Sequence, residues 1–212
     1  MFPARVPAVV RWLTPAALWR MPSEERSLYL SFDDGPHPEV TPWVLDRLAE
    51  FNAKATFFVI GRNAHDHPAI MERIRDDGHS IGNHTWDHVN GWRTSCRTYI
   101  NDVDRAQPLV GTRLFRPPYG RITRKQANQL RKRFDLVMWD ILSSDFDVRV
   151  GPEQCALNVL DHARPGSIVI FHDSAKAEER LRVALPRVLQ HFTQQEYSFL
   201  ALPEHGLTAA PK

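Results

Sequence analysis

The sequence predicts an α/β fold, a nearly closed (β/α) barrel of about seven parallel strands. Short apolar runs alternate with helical patterns along almost the whole chain. The runs are continuously apolar instead of alternating with polar residues, as strands buried on both faces must be. Each cluster of chemically capable residues falls just after one of these runs, and parallel barrels gather their active sites at that end of the strands. With 212 residues and no Gly-x-Gly-x-x-Gly turn after the first strand, a barrel is favoured over an open doubly wound sheet.

The first strand is Leu28-Tyr29-Leu30-Ser31-Phe32, ending in Asp33-Asp34-Gly35-Pro36. Thr41 as N-cap and Pro42 at the first helical position open a helix over Trp43 to Phe51, with Val44, Leu45 and Leu48 on one face. Ala55 to Ile60 is a second buried strand, stopped by Gly61, and a helix spans Pro68 to Asp77. A short strand, His79 to Ile81, precedes Gly82-Asn83-His84-Thr85-Trp86-Asp87-His88. Thr94 to Gln107 reads as helix, Leu114-Phe115 as strand, Thr123 to Lys132 as helix and Leu136 to Ile141 as strand. Pro152 to Ala163 is helical, Ser167 to Phe171 a strand, Ala177 to Gln194 a helix and Tyr197 to Ala201 the last strand. This order of elements belongs to one domain over residues 27–212, preceded by a distinct segment, 1–26.

Composition is that of a globular protein, 42% hydrophobic and 25% charged. A net charge of +2 without a Lys/Arg cluster argues against a nucleic-acid partner. Cys96 and Cys155 lack metal-type spacing and read as free thiols. In residues 1–26, Arg5, Arg11, Arg20, Pro7 and Pro15 interrupt the apolar stretches. The longest uncharged run falls far short of the ~20 residues of a membrane span, and no clean signal-peptide centre or cleavage site is evident. The expectation is a segment packed on the domain, with a basic amphipathic membrane anchor as the alternative. A cytoplasmic or membrane-peripheral location follows, with membrane contact only through this segment.

Two carboxylates at the end of a buried strand are costly unless a cation or hydrogen-bond donors compensate them. An Asx turn with a helix cap explains many Asp-Gly pairs without chemistry. His84 and His88, however, stand four apart: on a helical turn their Cβ atoms are roughly 6 Å apart and can share one ion, whereas on a strand they would be about 13 Å apart. A carboxylate from Asp33 or Asp34 would complete two imidazoles and one carboxylate, the ligand count of a catalytic zinc site with open positions. His65, His67, His162, His191 and His205 read as surface residues. His37 and His79 lie nearer the site without a partner at useful spacing.

These motifs resemble those of the polysaccharide deacetylases, carbohydrate esterase family 4, over about Ser27 to Pro203. Ser31-Phe32-Asp33-Asp34-Gly35 fits the first motif, His84-Thr85-Trp86-Asp87-His88 the second and Arg116-Pro117-Pro118-Tyr119 the third. Trp139 through Asp145-Phe146 looks like the fourth and Ile170-Phe171-His172 the fifth. The resemblance implies a distorted barrel and removal of N-acetyl groups from glycans such as chitooligosaccharides or peptidoglycan. It assigns Asp34, His84 and His88 to a divalent metal, most simply zinc, with cobalt or nickel possible. Asp33 becomes the general base, oriented by Arg116. The Tyr119 backbone N–H becomes an oxyanion donor, and His172 the general acid tuned by Asp145. Trp139, Phe146 and Ile170 become pocket walls with Tyr119. Two positions depart from the family pattern, Leu142 for an Asp and Phe146 for a Trp, which touches acyl and sugar specificity more than catalysis. Amide hydrolysis needs an activated water, a held oxyanion and a proton for the amine, and each role has a candidate. The rival readings are a deacylase of a non-polymeric amide and a catalytically silent glycan-binding module.

Overall fold

The computed structural model describes residues 4–7 and 17–204. Its strands are all parallel and form one curled sheet in the order β5-β4-β3-β2-β1-β7-β6. They are β1 (Ser27–Asp33), β2 (Ala55–Val59), β3 (Ser80–Asn83), β4 (Leu114–Phe115), β5 (Asp135–Leu136), β6 (Ile141–Leu142) and β7 (Ile168–His172). A short β8 (Ser198–Phe199) pairs with the start of β1. The helices are α1 (Val40–Glu50), α2 (Gly61–Asp66), α3 (Pro68–Asp76), α4 (Cys96–Val110), α5 (Arg124–Leu130), α6 (Pro152–Leu160) and α7 (Glu178–Gln194). The expected parallel (β/α) barrel is therefore present, with its ends at β5 and β6. Among the described residues, no helix is long and apolar enough to cross a membrane.

Alternation along β1 sorts its side chains. Leu28, Leu30 and Phe32 join the outer core with Val44, Leu45 and Leu48 of α1 and Leu181, Leu185 and Val188 of α7. Tyr29 instead joins Phe58, Leu114, Val137 and Ile168 in a second cluster, and Ser31 and Asp33 continue on that inner side. The register sets Asp33 opposite both Phe58 of β2 and His172 of β7. A residue at the end of the central strand thus has the ends of two neighbours beside it.

The predicted strand Leu136 to Ile141 is two strands that do not pair with each other. β5 bonds to β4 and β6 to β7, so the apolar run spans the opening of the barrel. The described parts of the N-terminal segment lie along this opening. Leu18 N–H donates to Leu136 O (2.8 Å) and Met138 N–H to Leu18 O (2.7 Å). Val6 N–H donates to Asp140 O (3.0 Å) and Leu142 N–H to Ala4 O (2.7 Å). Trp19 is buried and meets Trp139 edge-on at 6.5 Å.

The first helix begins at Val40, not after a Thr41 cap. Thr41 Oγ1 instead accepts from His37 N–H (2.7 Å) and donates to Asp173 Oδ2 (2.5 Å), and His37 Nδ1 accepts from the N–H groups of Glu39 and Val40, each at 3.3 Å. Gly61 starts the extra helix α2, its N–H donating to Thr85 O (2.8 Å).

Candidate active site

β1 ends at Asp33, and Asp34 turns into the left-handed region with φ 78°. That turn separates the two carboxylates. Asp33 is buried, and its Oδ1 accepts from Arg116 Nη1 at 2.6 Å. Asp34 Oδ1 lies 3.1 Å from His88 Nε2 and 3.7 Å from His84 Nε2, and is buried without a hydrogen-bond partner. Burial would raise the Asp34 carboxyl, but the close approach of His88 and the charges of His172, His84 and His88 hold it well below the usual range. Asp173 anchors the turn, since its Oδ1 accepts from Gly35 N–H (3.0 Å). A Cβ on Gly35 would lie 2.0 Å from Asp173 Oδ2, so only glycine fits there. Burial is the main reason that the Asp173 carboxyl is pushed up to about 8.

His84 and His88 do not sit on a helical turn. They flank an irregular loop in which Thr85 and His88 are both left-handed, with φ 66° and 54°. The loop is held from α4, where Asp102 Oδ2 accepts from the N–H groups of Trp86 (2.7 Å) and Asp87 (3.0 Å). The two imidazoles nonetheless come within 5.1 Å of each other. His84 Nδ1 lies 2.8 Å from Arg116 O. A proton on Nδ1 donated to that carbonyl leaves the Nε2 lone pair aimed at Asp34. Burial pushes His84 down to about 4, so the ring is neutral at physiological pH. Asp34, His84 and His88 each offer one donor atom within 4.8 Å of the others. An orphaned carboxylate oxygen facing two imidazole nitrogens is the environment that a cation would complete.

Arg116, at the end of β4, is wholly buried inside the barrel. Besides Asp33, it donates to Ser31 Oγ (2.8 Å), Val137 O (3.4 Å) and Met138 O (2.9 Å), and its guanidinium lies 4.0 Å from the Phe58 ring centre. Three residues on, Tyr119 has left-handed backbone with φ 60°, and its ring lies 4.6 Å from that of His88. Across the site, His172 Nδ1 meets Asp145 Oδ1 at 2.7 Å, and Asp145 Oδ2 accepts from His172 N–H at 2.8 Å. Burial acts to lower His172, but the Asp145 charge and hydrogen bond, with smaller help from Asp34 and Asp33, raise it to about 9. Arg180 of α7 braces this side by donating to Asp145 O (2.6 Å) and to Lys176 O.

A cavity of about 410 Å³ opens over these groups, within the usual range of ligand pockets. It is lined by Asp33, Asp34, His84, His88, Tyr119 and His172 together with Trp139, Phe146 and Ile170. Arg116 and Asp145 stand behind it as partners of Asp33 and His172. Every residue singled out in the sequence for the site is thus at or directly behind one cavity. Leu142 is also in the wall, and the Phe146 ring packs edge-on against His172 at 5.1 Å. Gly120, Ser174 and Lys176 complete the lining and were not foreseen; the loop following His172 would have suggested the last two. His79 lies at the other end of the strands, its Nδ1 accepting from Ala55 N–H (3.1 Å). His65 and His162 are exposed and His67 and His191 half-buried, while His205 lies outside the described residues.

A parallel barrel with a carboxylate–arginine pair, a carboxylate–histidine pair and a three-donor cluster around one cavity defines a hydrolase of unactivated carbonyl compounds. The chain belongs to the polysaccharide deacetylase family, whose model matches residues 20–138. It is 38% identical over 169 residues to a chitooligosaccharide deacetylase of Azorhizobium caulinodans, covering 76% of this chain and 80% of that one. It is 32% identical over 202 residues to a peptidoglycan-N-acetylglucosamine deacetylase of Bacillus cereus, covering 88% and 91%. The crystal structure of the Bc1960 peptidoglycan N-acetylglucosamine deacetylase superposes with a TM-score of 0.82 at 32% identity, covering 92% of this chain and 94% of that one.

Proposed function

We propose that this protein removes N-acetyl groups from N-acetylhexosamine residues of a glycan, releasing acetate. The observation that carries the reading is the buried, orphaned Asp34 Oδ1 facing His84 and His88 beside a separately anchored Asp33. Asp34, His84 and His88 would hold a divalent ion, and two nitrogens with one oxygen favour zinc, with cobalt or nickel as substitutes. Such an ion acts as a Lewis acid that polarises the amide carbonyl and makes water nucleophilic near neutral pH.

The chain's own residues supply the rest. Asp33 keeps Oδ1 on Arg116, while Oδ2, 3.8 Å from His84 Nε2, faces the three-donor cluster and takes the proton from the attacking water. The Tyr119 backbone N–H donates to the oxygen on which charge develops. His172, protonated through its Asp145 partner, delivers a proton to the nitrogen so that the amine can leave. Phe146, Ile170 and Leu142 give the acyl methyl an apolar wall, and relatives named for chitooligosaccharide and peptidoglycan deacetylation support a sugar N-acetyl group as its bearer.

Metal-loaded protein incubated with N-acetylchitooligosaccharides and peptidoglycan fragments should release acetate. Asp33→Asn should lower the rate by about 10²–10⁴-fold, the usual worth of a general base, while bound metal, measured by elemental analysis, stays stoichiometric. Metal-replete protein that leaves every N-acyl sugar intact would overturn the reading.

A further inference from the structure

Beyond the cavity mouth, two aromatic rings are displayed to solvent with more support than packing requires. Trp92 is 66% exposed and Tyr119 58%, and among the described residues no other aromatic side chain is comparably exposed. One guanidinium joins them: Arg121 lies 5.2 Å from the Trp92 ring centre and 6.0 Å from that of Tyr119. Tyr119 also lines the cavity, so the pair leads outward from the reacting centre.

Trp92 is held in place. Its indole N–H donates to Ile122 O (3.4 Å) and its backbone N–H to Asn90 Oδ1 (3.0 Å). The turn beneath it is clamped by Gln126 Nε2 donating to Gly91 O (2.9 Å). A Cβ on Gly91 would lie 2.3 Å from Arg121 O, so only glycine lets the turn seat against the segment that carries Arg121. A large apolar ring fixed in water loses little entropy when something stacks on it. Pyranose rings present flat C–H faces to aromatic rings, and a guanidinium between two such rings offers several donors to hydroxyl or carbonyl oxygens.

We propose that Trp92, Arg121 and Tyr119 form a subsite for a neighbouring sugar of the strand whose N-acetyl group is being removed. The substrate is then an oligo- or polysaccharide, not a single sugar or a small amide. This rests on the hydrolytic reading of the cavity.

The test compares N-acetylchitohexaose with N-acetylchitobiose on metal-loaded wild-type, Trp92→Ala and Trp92→Phe protein. Trp92→Ala should lower the ratio of kcat/KM on the hexaose to that on the biose by about five- to tenfold, the size of an aromatic stacking contribution. Trp92→Phe should restore most of that ratio, and thermal melting of each variant reports whether it is folded. An unchanged ratio in folded Trp92→Ala overturns the subsite while acetate release leaves the hydrolytic reading standing. If neither sugar releases acetate, calorimetric titration of both into wild type and Trp92→Ala decides. Length-dependent binding that the variant loses upholds the subsite alone, and equal or absent binding removes it.

Discussion

At the scale of single residues, the His172–Asp145 pair decides at which pH the site can donate a proton. Its imidazole is raised to about 9 because the Asp145 charge and hydrogen bond outweigh burial. Asp145→Asn removes the charge and leaves the burial, so the His172 pKa falls. The acid must be protonated to work, and the alkaline limb of kcat/KM against pH should therefore move to lower pH, by about one to two units. The same shift is a stability effect in metal-free protein. The folded state holds the proton more tightly than the unfolded chain, where His titrates near 6.5. Stability from this pair is complete below that pH and is lost as pH rises through about 9. The urea midpoint should fall across that window in wild type and stay flatter in Asp145→Asn. His172 and the Asp33-Asp34 pair were legible in the sequence because ionisable residues at the ends of apolar strands demand an explanation. Asp173 was not, since an Asp after a strand reads equally well as a turn residue, and its carboxylate meets Gly35 and Thr41 only once the chain is folded.

Among the elements, the loop from His84 to His88 shows spacing reaching the right partners by a different backbone. The i, i+4 relation led to a helical turn, but two left-handed residues and the Asp102 carboxylate shape the loop instead. Asp102 is far along the chain in α4, so its two backbone bonds could not be inferred from local pattern. Asp102→Ala should leave those N–H groups unpaired and loosen the two imidazoles. Zinc affinity measured by calorimetric titration should then drop about tenfold or more, as when supporting groups behind a metal site are lost, with little change in helix content. The stretch 136–141 shows the opposite case. A continuous apolar run has no local signal telling one strand from two half-strands, and the break is set by where the sheet ends.

For the whole molecule, alternation and buried runs were enough for the parallel barrel, because those patterns follow directly from covering a sheet on both faces. The opening between β5 and β6 was not legible, because it depends on which strand ends lack partners. Arg116 spans that place from within, donating to Val137 O and Met138 O while it pairs with Asp33. Arg116→Lys keeps a charge but cannot bond two carbonyls, a hydroxyl and a carboxylate together. It should lower unfolding stability by about 1–3 kcal/mol, the usual cost of leaving a buried acceptor unpaired, measured by denaturant titration, and reduce acetate release in parallel. The consequence reaches past this protein's own chemistry. An apolar replacement of Asp33 would keep a guanidinium sealed in the barrel with neither counter-charge nor acceptor, a folding cost that Asp33→Asn escapes in part because its amide oxygen can still accept from Arg116. Routes to a silent, merely sugar-holding form therefore run more easily through Asp34, His88 or His172, which have no buried guanidinium depending on them, than through an apolar replacement of the base.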